Sequence, residues 1–147
     1  TSNIFVDIWE VHGTAKWVGL ECRGLFTQGH IGNADALNIK LGNAQGSNSG
    51  VGSHLFGGYL EAAFDVFSIL PRTESYLAPF IRYERYDTQK QVPTGWVKNP
   101  SNSRLEYTMG ISYKPITQVV IKLDHQIFRN QGQTGVGQTN LGLGYIF

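Results

Sequence analysis

The feature that most narrows what this chain can fold into is a period-two alternation of apolar and polar side chains, repeated in seven separate segments. A strand turns residues i, i+2 and i+4 to one side, so such alternation specifies a sheet with unlike faces. In 16–26, Val18, Leu20, Cys22 and Phe26 share one parity while Glu21 and Arg23 take the other. In 58–67, Leu60, Ala62, Phe64 and Val66 oppose Tyr59, Glu61, Ala63 and Asp65. Segments 76–87, 104–114, 118–129 and 139–147 repeat the scheme: Leu77, Ile81, Ile111, Ile121, Leu123, Leu141 and Leu143 stand on one side, and Arg82, Glu84, Glu106, Lys114, Lys122 and Asp124 on the other. Segment 3–11 carries bulky residues on both parities, Ile4, Val6 and Ile8 against Phe5 and Trp9.

Segments of about 9 to 12 residues, at roughly 3.3 Å per residue and a tilt near 45°, each rise about 21 to 28 Å, close to the apolar band of an outer membrane. The connections 12–15, 68–75 and 115–117 read as short, whereas 27–57, 88–103 and 130–138 are longer and rich in Gly, Asn, Ser and Gln. Tight turns on one rim and long loops on the other fit an antiparallel meander in a transmembrane barrel. Within the longest loop, Asn33 is placed to cap a short helix carrying Ala34, Leu37 and Leu41, which would fold inward as a constriction; a mobile polar loop is the alternative.

Composition removes other classes. A length of 147 residues leaves no room for a second independent module, and 12 basic against 11 acidic residues give a net charge of +1. That balance offers no electrostatic footprint for nucleic acid, which is not expected as a partner. The single cysteine, Cys22, forms no internal bridge, and no apolar run approaches the ~18 residues of a membrane helix. A chain opening at Thr1, with neither Met nor a targeting segment, reads as mature, processed or truncated.

Alternation alone does not say whether the apolar parity meets lipid around a wet interior or packs into a dry core, as in a soluble barrel for an apolar ligand. Three features favour lipid: the strand lengths, the aromatic residues Tyr107, Tyr113, Tyr145 and Phe147 near strand ends, and the glycines Gly110, Gly142 and Gly144 on the polar parity. The expected fold is therefore all-β, an antiparallel meander of about seven long strands forming part of a transmembrane β-barrel, in the bacterial outer membrane and in contact with its lipid.

The final segment, Asn140-Leu-Gly-Leu-Gly-Tyr-Ile-Phe147, resembles the terminal strand of bacterial outer-membrane proteins. This implies an assembly signal in Leu141, Leu143, Tyr145 and Phe147, read by the barrel-assembly machinery. Several pieces also resemble the C-terminal half of bacterial porins of the phosphate-selective porin O and P type. They are Gly58-Tyr-Leu-Glu-Ala-Ala-Phe-Asp65, Ala78-Pro-Phe-Ile-Arg-Tyr-Glu-Arg-Tyr-Asp-Thr-Gln89, Gly110-Ile-Ser-Tyr-Lys-Pro115 and Val119-Val-Ile-Lys-Leu-Asp-His-Gln126. The resemblance implies a barrel of about 16 strands, a trimer, and a passive diffusion channel for small hydrophilic solutes or ions. Residues 1–147 then form the C-terminal portion of one barrel domain whose N-terminal strands lie elsewhere, with Thr1 at the outer rim. An eighth strand within 37–57 is the competing explanation of the odd strand count.

On this reading the channel-lining set is Glu21, Arg23, Glu61, Asp65, Arg82, Glu84, Glu106, Lys114, Lys122 and Asp124. Mixed signs two residues apart, as in Glu21 with Arg23, Arg82 with Glu84 and Lys122 with Asp124, serve either a salt-bridged wall or a selective field. No convergent run of Arg and Lys of the kind that phosphate specificity needs is visible along the chain. No nucleophile, base and carboxylate constellation is expected: His12, His30 and His54 fall in predicted turns or loops and His125 on the apolar parity, so no enzyme activity, metal or cofactor is assigned. The alternative function is a structural or adhesive barrel, or a scaffold for an envelope complex, acting through its long loops.

Overall fold

The computed structural model describes residues 3–71 and 74–147; Thr1 at its expected rim, and the Arg72–Thr73 part of the expected 68–75 turn, lie outside them. Seven strands run in chain order: β1 (Phe5–Trp17), β2 (Leu20–Gly32), β3 (His54–Phe64), β4 (Tyr76–Gln91), β5 (Ser103–Lys114), β6 (Val119–Asn130) and β7 (Gly137–Tyr145). They form one all-antiparallel meander, each strand beside its neighbour in sequence. The described sheet is open, with β1 and β7 at its edges.

The first hairpin differs from the expectation. Residues 12–15 are strand, and the turn falls at Val18 and Gly19, both at positive φ (41° and 82°). Two left-handed residues form the tight hairpin whose twist matches its strands, and β-branched Val18 tolerates that conformation poorly, so Gly19 anchors it. Gly13, which attracts a turn assignment, instead lies opposite Gly24 in the ladder. Strand β2 runs on to Gly32 and β3 starts at His54, so both ends of the expected 27–57 loop are sheet. The end of β3 at Phe64 makes the 65–75 connection longer than expected, and 131–136 is shorter.

No eighth strand exists in 37–57: a helix, α1 (Ala34–Lys40), and turns occupy that stretch up to β3. Asn33 holds the N-cap position, but in a left-handed conformation with no side-chain cap; its Nδ2 donates to Asn3 O at 2.6 Å. The buried stripe is Ala34 and Asn38, while Leu41 is exposed. Asn38 ties the loop down by accepting from Val51 N at 2.6 Å and donating to Val51 O at 3.0 Å.

Opposite Leu55, β4 carries a bulge, since His54 pairs with Gln91 while Phe56 pairs with Asp87. The bulge frees buried Gln89 from the ladder: its Nε2 donates to Gly50 O and its Oε1 accepts from Asn99 N at 2.6 Å. With Gly46 N donating to Gly95 O at 2.7 Å, these bonds knit 33–53 and 92–102 into one cap at the loop end, closed around buried Trp96.

Register assigns the faces. Leu20 stands across from Phe64; Pro79, Ile111, Leu123 and Leu141 form one row, and Ile121 and Leu143 extend the same face. In β1 this face takes Phe5, Trp9 and Val11, which leaves Val6 and Ile8 on the polar side. The apolar side chains do not converge on a dry centre: Leu60 is 67% exposed and Leu141 78%, and the buried hydrophobic residues among those described are Ala34, Ala63, Ala78 and Trp96. The apolar zone has an oblique upper border, passing from Asp7 on β1 to Thr139 on β7; the latter's row meets β1 at Ala15.

Candidate functional site

The polar face carries the site. Its side chains are more sheltered than those opposite, with Thr108 5% and Asp124 8% exposed. Lys16 on β1 and Lys122 on β6 line the same hollow of about 360 Å³, so the sheet curls with its polar face inside. Glycine opposite a bulky partner permits this packing: a Cβ on Gly110 would lie 2.7 Å from Cβ of Asp124, the residue across the ladder.

Nine of the ten expected lining residues stand on this face: Glu21, Arg23, Glu61, Arg82, Glu84, Glu106, Lys114, Lys122 and Asp124. Asp65 does not. It follows the end of β3, where its Oδ1 accepts from Phe67 N at 3.1 Å and Leu77 N at 3.2 Å, so it is a turn-forming residue. The strand ends three residues short of the alternating segment 58–67 because that carboxylate caps the 3₁₀ turn over Val66–Ile69.

The pairs two residues apart meet. Arg23 reaches Glu21 at 3.1 Å, Arg82 reaches Glu84 at 2.8 Å, and Lys122 Nζ lies 3.7 Å from Asp124. Cross-strand links extend them: Lys16 bonds Glu21, and Asn140 Nδ2 donates to Asp124 Oδ1 at 2.9 Å and to Gln126 Oε1 at 3.1 Å. Aromatic rings hold the cations flat against the wall, Arg82 lying 3.9 Å from the Tyr59 ring centre and Lys122 4.6 Å from that of Phe80. Glu106 stands directly across from Glu84, and among the described residues neither Glu106 nor Lys114 has an ion-pair partner.

Signs segregate along the strands. The hollow near the turn end gathers Lys16, Arg23, Arg82, Lys114 and Lys122 with Glu21 and Glu61. Glu84 and Glu106 lie farther toward the loops, whereas Asp124 falls in the row of Lys16 and Glu21. Five cations from five strands thus converge although no run of them exists in the chain. Lys16, Asn140, Gln126 and Arg104 belong to the same face; continuing the parity into β1 and the loop-end turns of the strands finds them. Such a wall can hold a hydrated anion near the turn end and cations above it through the local field.

The histidines sit on strands. His30 and His54 lie 4.6 Å apart between ring centres, tilted by 38°, on the apolar-parity face, and His12 lies on the polar face of β1. His125 lies on the apolar face, where Nδ1 meets Thr139 Oγ1 at 2.9 Å. Among the described residues no three His, Cys, Asp or Glu side chains gather as metal ligands, and no helix is long and apolar enough to cross a membrane.

No family model and no solved structure matches the chain. An uncharacterized protein of Aquifex aeolicus (strain VF5) is 30% identical over 124 residues, which take in 82% of this chain and 28% of that protein. The chain therefore spans well under a third of the length of the relative it matches.

Proposed function

We propose that this chain forms seven strands of a bacterial outer-membrane β-barrel of the porin type and that it works as a passive diffusion channel for small hydrophilic solutes or ions. One observation carries the reading: from β2 through β7 the apolar parity is turned outward, with Leu60, Leu141 and Leu143 largely exposed, while the charged parity, joined by Lys16 of β1, curls around a hollow. A contiguous apolar surface of that extent is unfavourable in water and favourable against hydrocarbon, and the sheltered polar wall would line the pore. The open edges β1 and β7 call for further strands, because unpaired ladder groups in lipid cost several kcal/mol each, and a closed barrel of about 16 strands removes them. The porin O and P resemblance supplies the trimer, and the terminal strand supplies recognition of Leu141, Leu143, Tyr145 and Phe147 by the assembly machinery. The function needs no catalytic group: the lining charges act through their field alone.

Planar-bilayer recording from the full-length protein tests this. Stepwise conductance is expected, and silence at every voltage and salt concentration overturns it. The knitted cap favours a second reading, a surface scaffold or adhesin: deletion of 33–52 that spares conductance but abolishes cell-surface attachment would support it.

A further inference from the structure

The apolar face is not uniform. Between β1 and β4 small residues sink it into a groove of about 610 Å³, floored by Gly13, Gly24 and Gly58 and walled by Phe26, Leu60 and Tyr83. A Cβ at Gly13 would meet nothing within 4 Å, so the floor is open there, while Leu60 closes over Gly24 and Phe26 against Gly58. The loop-end mouth of this groove is Phe56 and Arg85. Two cations approach that ring: Arg85 Cζ lies 5.9 Å from the centre of Phe56, and Nζ of Lys90, which lines the neighbouring hollow beside Asp7, lies 5.2 Å from it. Lys98 Nζ, a third cation, donates to the Lys90 carbonyl. Among the described residues neither Arg85 nor Lys90 has an ion-pair partner. Two acids lie nearby: Asp87, directly across from Phe56, accepts from Gln89 N at 2.8 Å, and Asp7 lies 3.8 Å from His30 Nδ1.

We infer that this groove and its cationic mouth bind one amphiphile, a phosphorylated, acylated membrane lipid, with an acyl chain over Gly13 and against Phe26, Leu60 and Tyr83 and a phosphate between Arg85 and Lys90. The inference rests on the membrane reading above and adds a ligand to the outer wall. Two like charges held near one ring, neither in an ion pair among the described residues, match an anion, and a groove without polar groups along its floor matches a hydrocarbon chain. Aromatic Phe56 sits where the two chemistries join, as rings do at a membrane boundary.

The test places the full-length protein in phosphatidylcholine nanodiscs and measures binding of bisphosphorylated lipid A, of its dephosphorylated form and of inorganic phosphate. Arg85→Gln with Lys90→Gln should weaken the phosphorylated lipid about tenfold or more and leave the dephosphorylated form unchanged. Gly13→Leu, which fills open space and should not disturb folding, should weaken both lipids. Unchanged lipid binding in both variants overturns the proposal. So does full competition by inorganic phosphate, which would make the mouth a free-anion site, or a change in oligomeric state without a change in lipid binding, which would make the groove a subunit contact. A protein that does not enter the bilayer defeats the channel reading and this inference together; one that enters and conducts, with lipid binding indifferent to the variants, defeats this inference alone.

Discussion

The two faces of the sheet satisfy their side chains in opposite ways. On the polar face charges and amides find partners within the sheet, as in the chain from Lys122 through Asp124 and Asn140 to Gln126. On the other face Leu123, Leu141 and Leu143 lie side by side yet stay half or more exposed. Most of the polar face is satisfied within the described strands, with Glu106 and Lys114 standing outside its ion pairs, whereas the apolar face needs something beyond the strands. The contrast locates the missing free energy: at roughly 25 cal/mol per Å² of apolar surface, covering that face outweighs anything its ion pairs supply, since exposed pairs contribute about 0 to 1 kcal/mol.

The comparison can be broken most forcefully at Leu123. Leu123→Arg should cost about 2–4 kcal/mol of insertion and abolish folding into vesicles, read by heat-modifiable gel mobility, whereas Lys122→Leu on the opposite face should change it by less than about 1 kcal/mol. Equal effects would mean that the faces do not differ as described. Next in size is Gly110→Val, whose Cβ would crowd Asp124, with an expected loss of about 1–3 kcal/mol in the denaturant midpoint. Gly142→Val is its control, because a Cβ there meets no atom closer than Lys122 O at 4.0 Å.

Gly50→Ala would set a Cβ 2.5 Å from Trp96 Cδ1, so protease should cut 41–53 and 92–99 faster while the sheet's unfolding midpoint stays put. Trp96→Phe should leave the cap intact, since the buried indole N–H has no acceptor to lose. Smallest of all in stability, an Arg82→Gln and Glu84→Gln double-mutant cycle should give a coupling below about 1 kcal/mol, yet the single Arg82→Gln should shift the anion-to-cation permeability ratio toward cations.

Much of this was legible in the chain because parity survives errors of boundary. The expected apolar parity matches the observed face in β2 through β7, and the three ion pairs needed only a spacing of two on one strand. The helix after Asn33 was legible too, although burial chose Asn38 over Leu37 and Leu41 for its hydrogen bonds to Val51. Features that depend on partners across the sheet were not. The five-cation hollow follows from the register between strands, which no single segment encodes. Gly13 and Gly19 look alike in sequence, and only pairing with Gly24 separates the ladder residue from the turn residue. Asp65 keeps the alternation going while its carboxylate is already closing a turn.

The oblique upper border of the apolar zone has one more consequence. Its ends, Asp7 on β1 and Thr139 on β7, lie eight residues apart once projected onto β1, across six strand-to-strand steps. At about 3.3 Å per residue and 4.8 Å per step this is a slope of about 40°. If that border marks a water surface, every strand leans by that angle, within the roughly 35–45° inclination of barrels that stand in a bilayer. A flat interface read from side chains alone thus returns the pitch of the backbone that carries them.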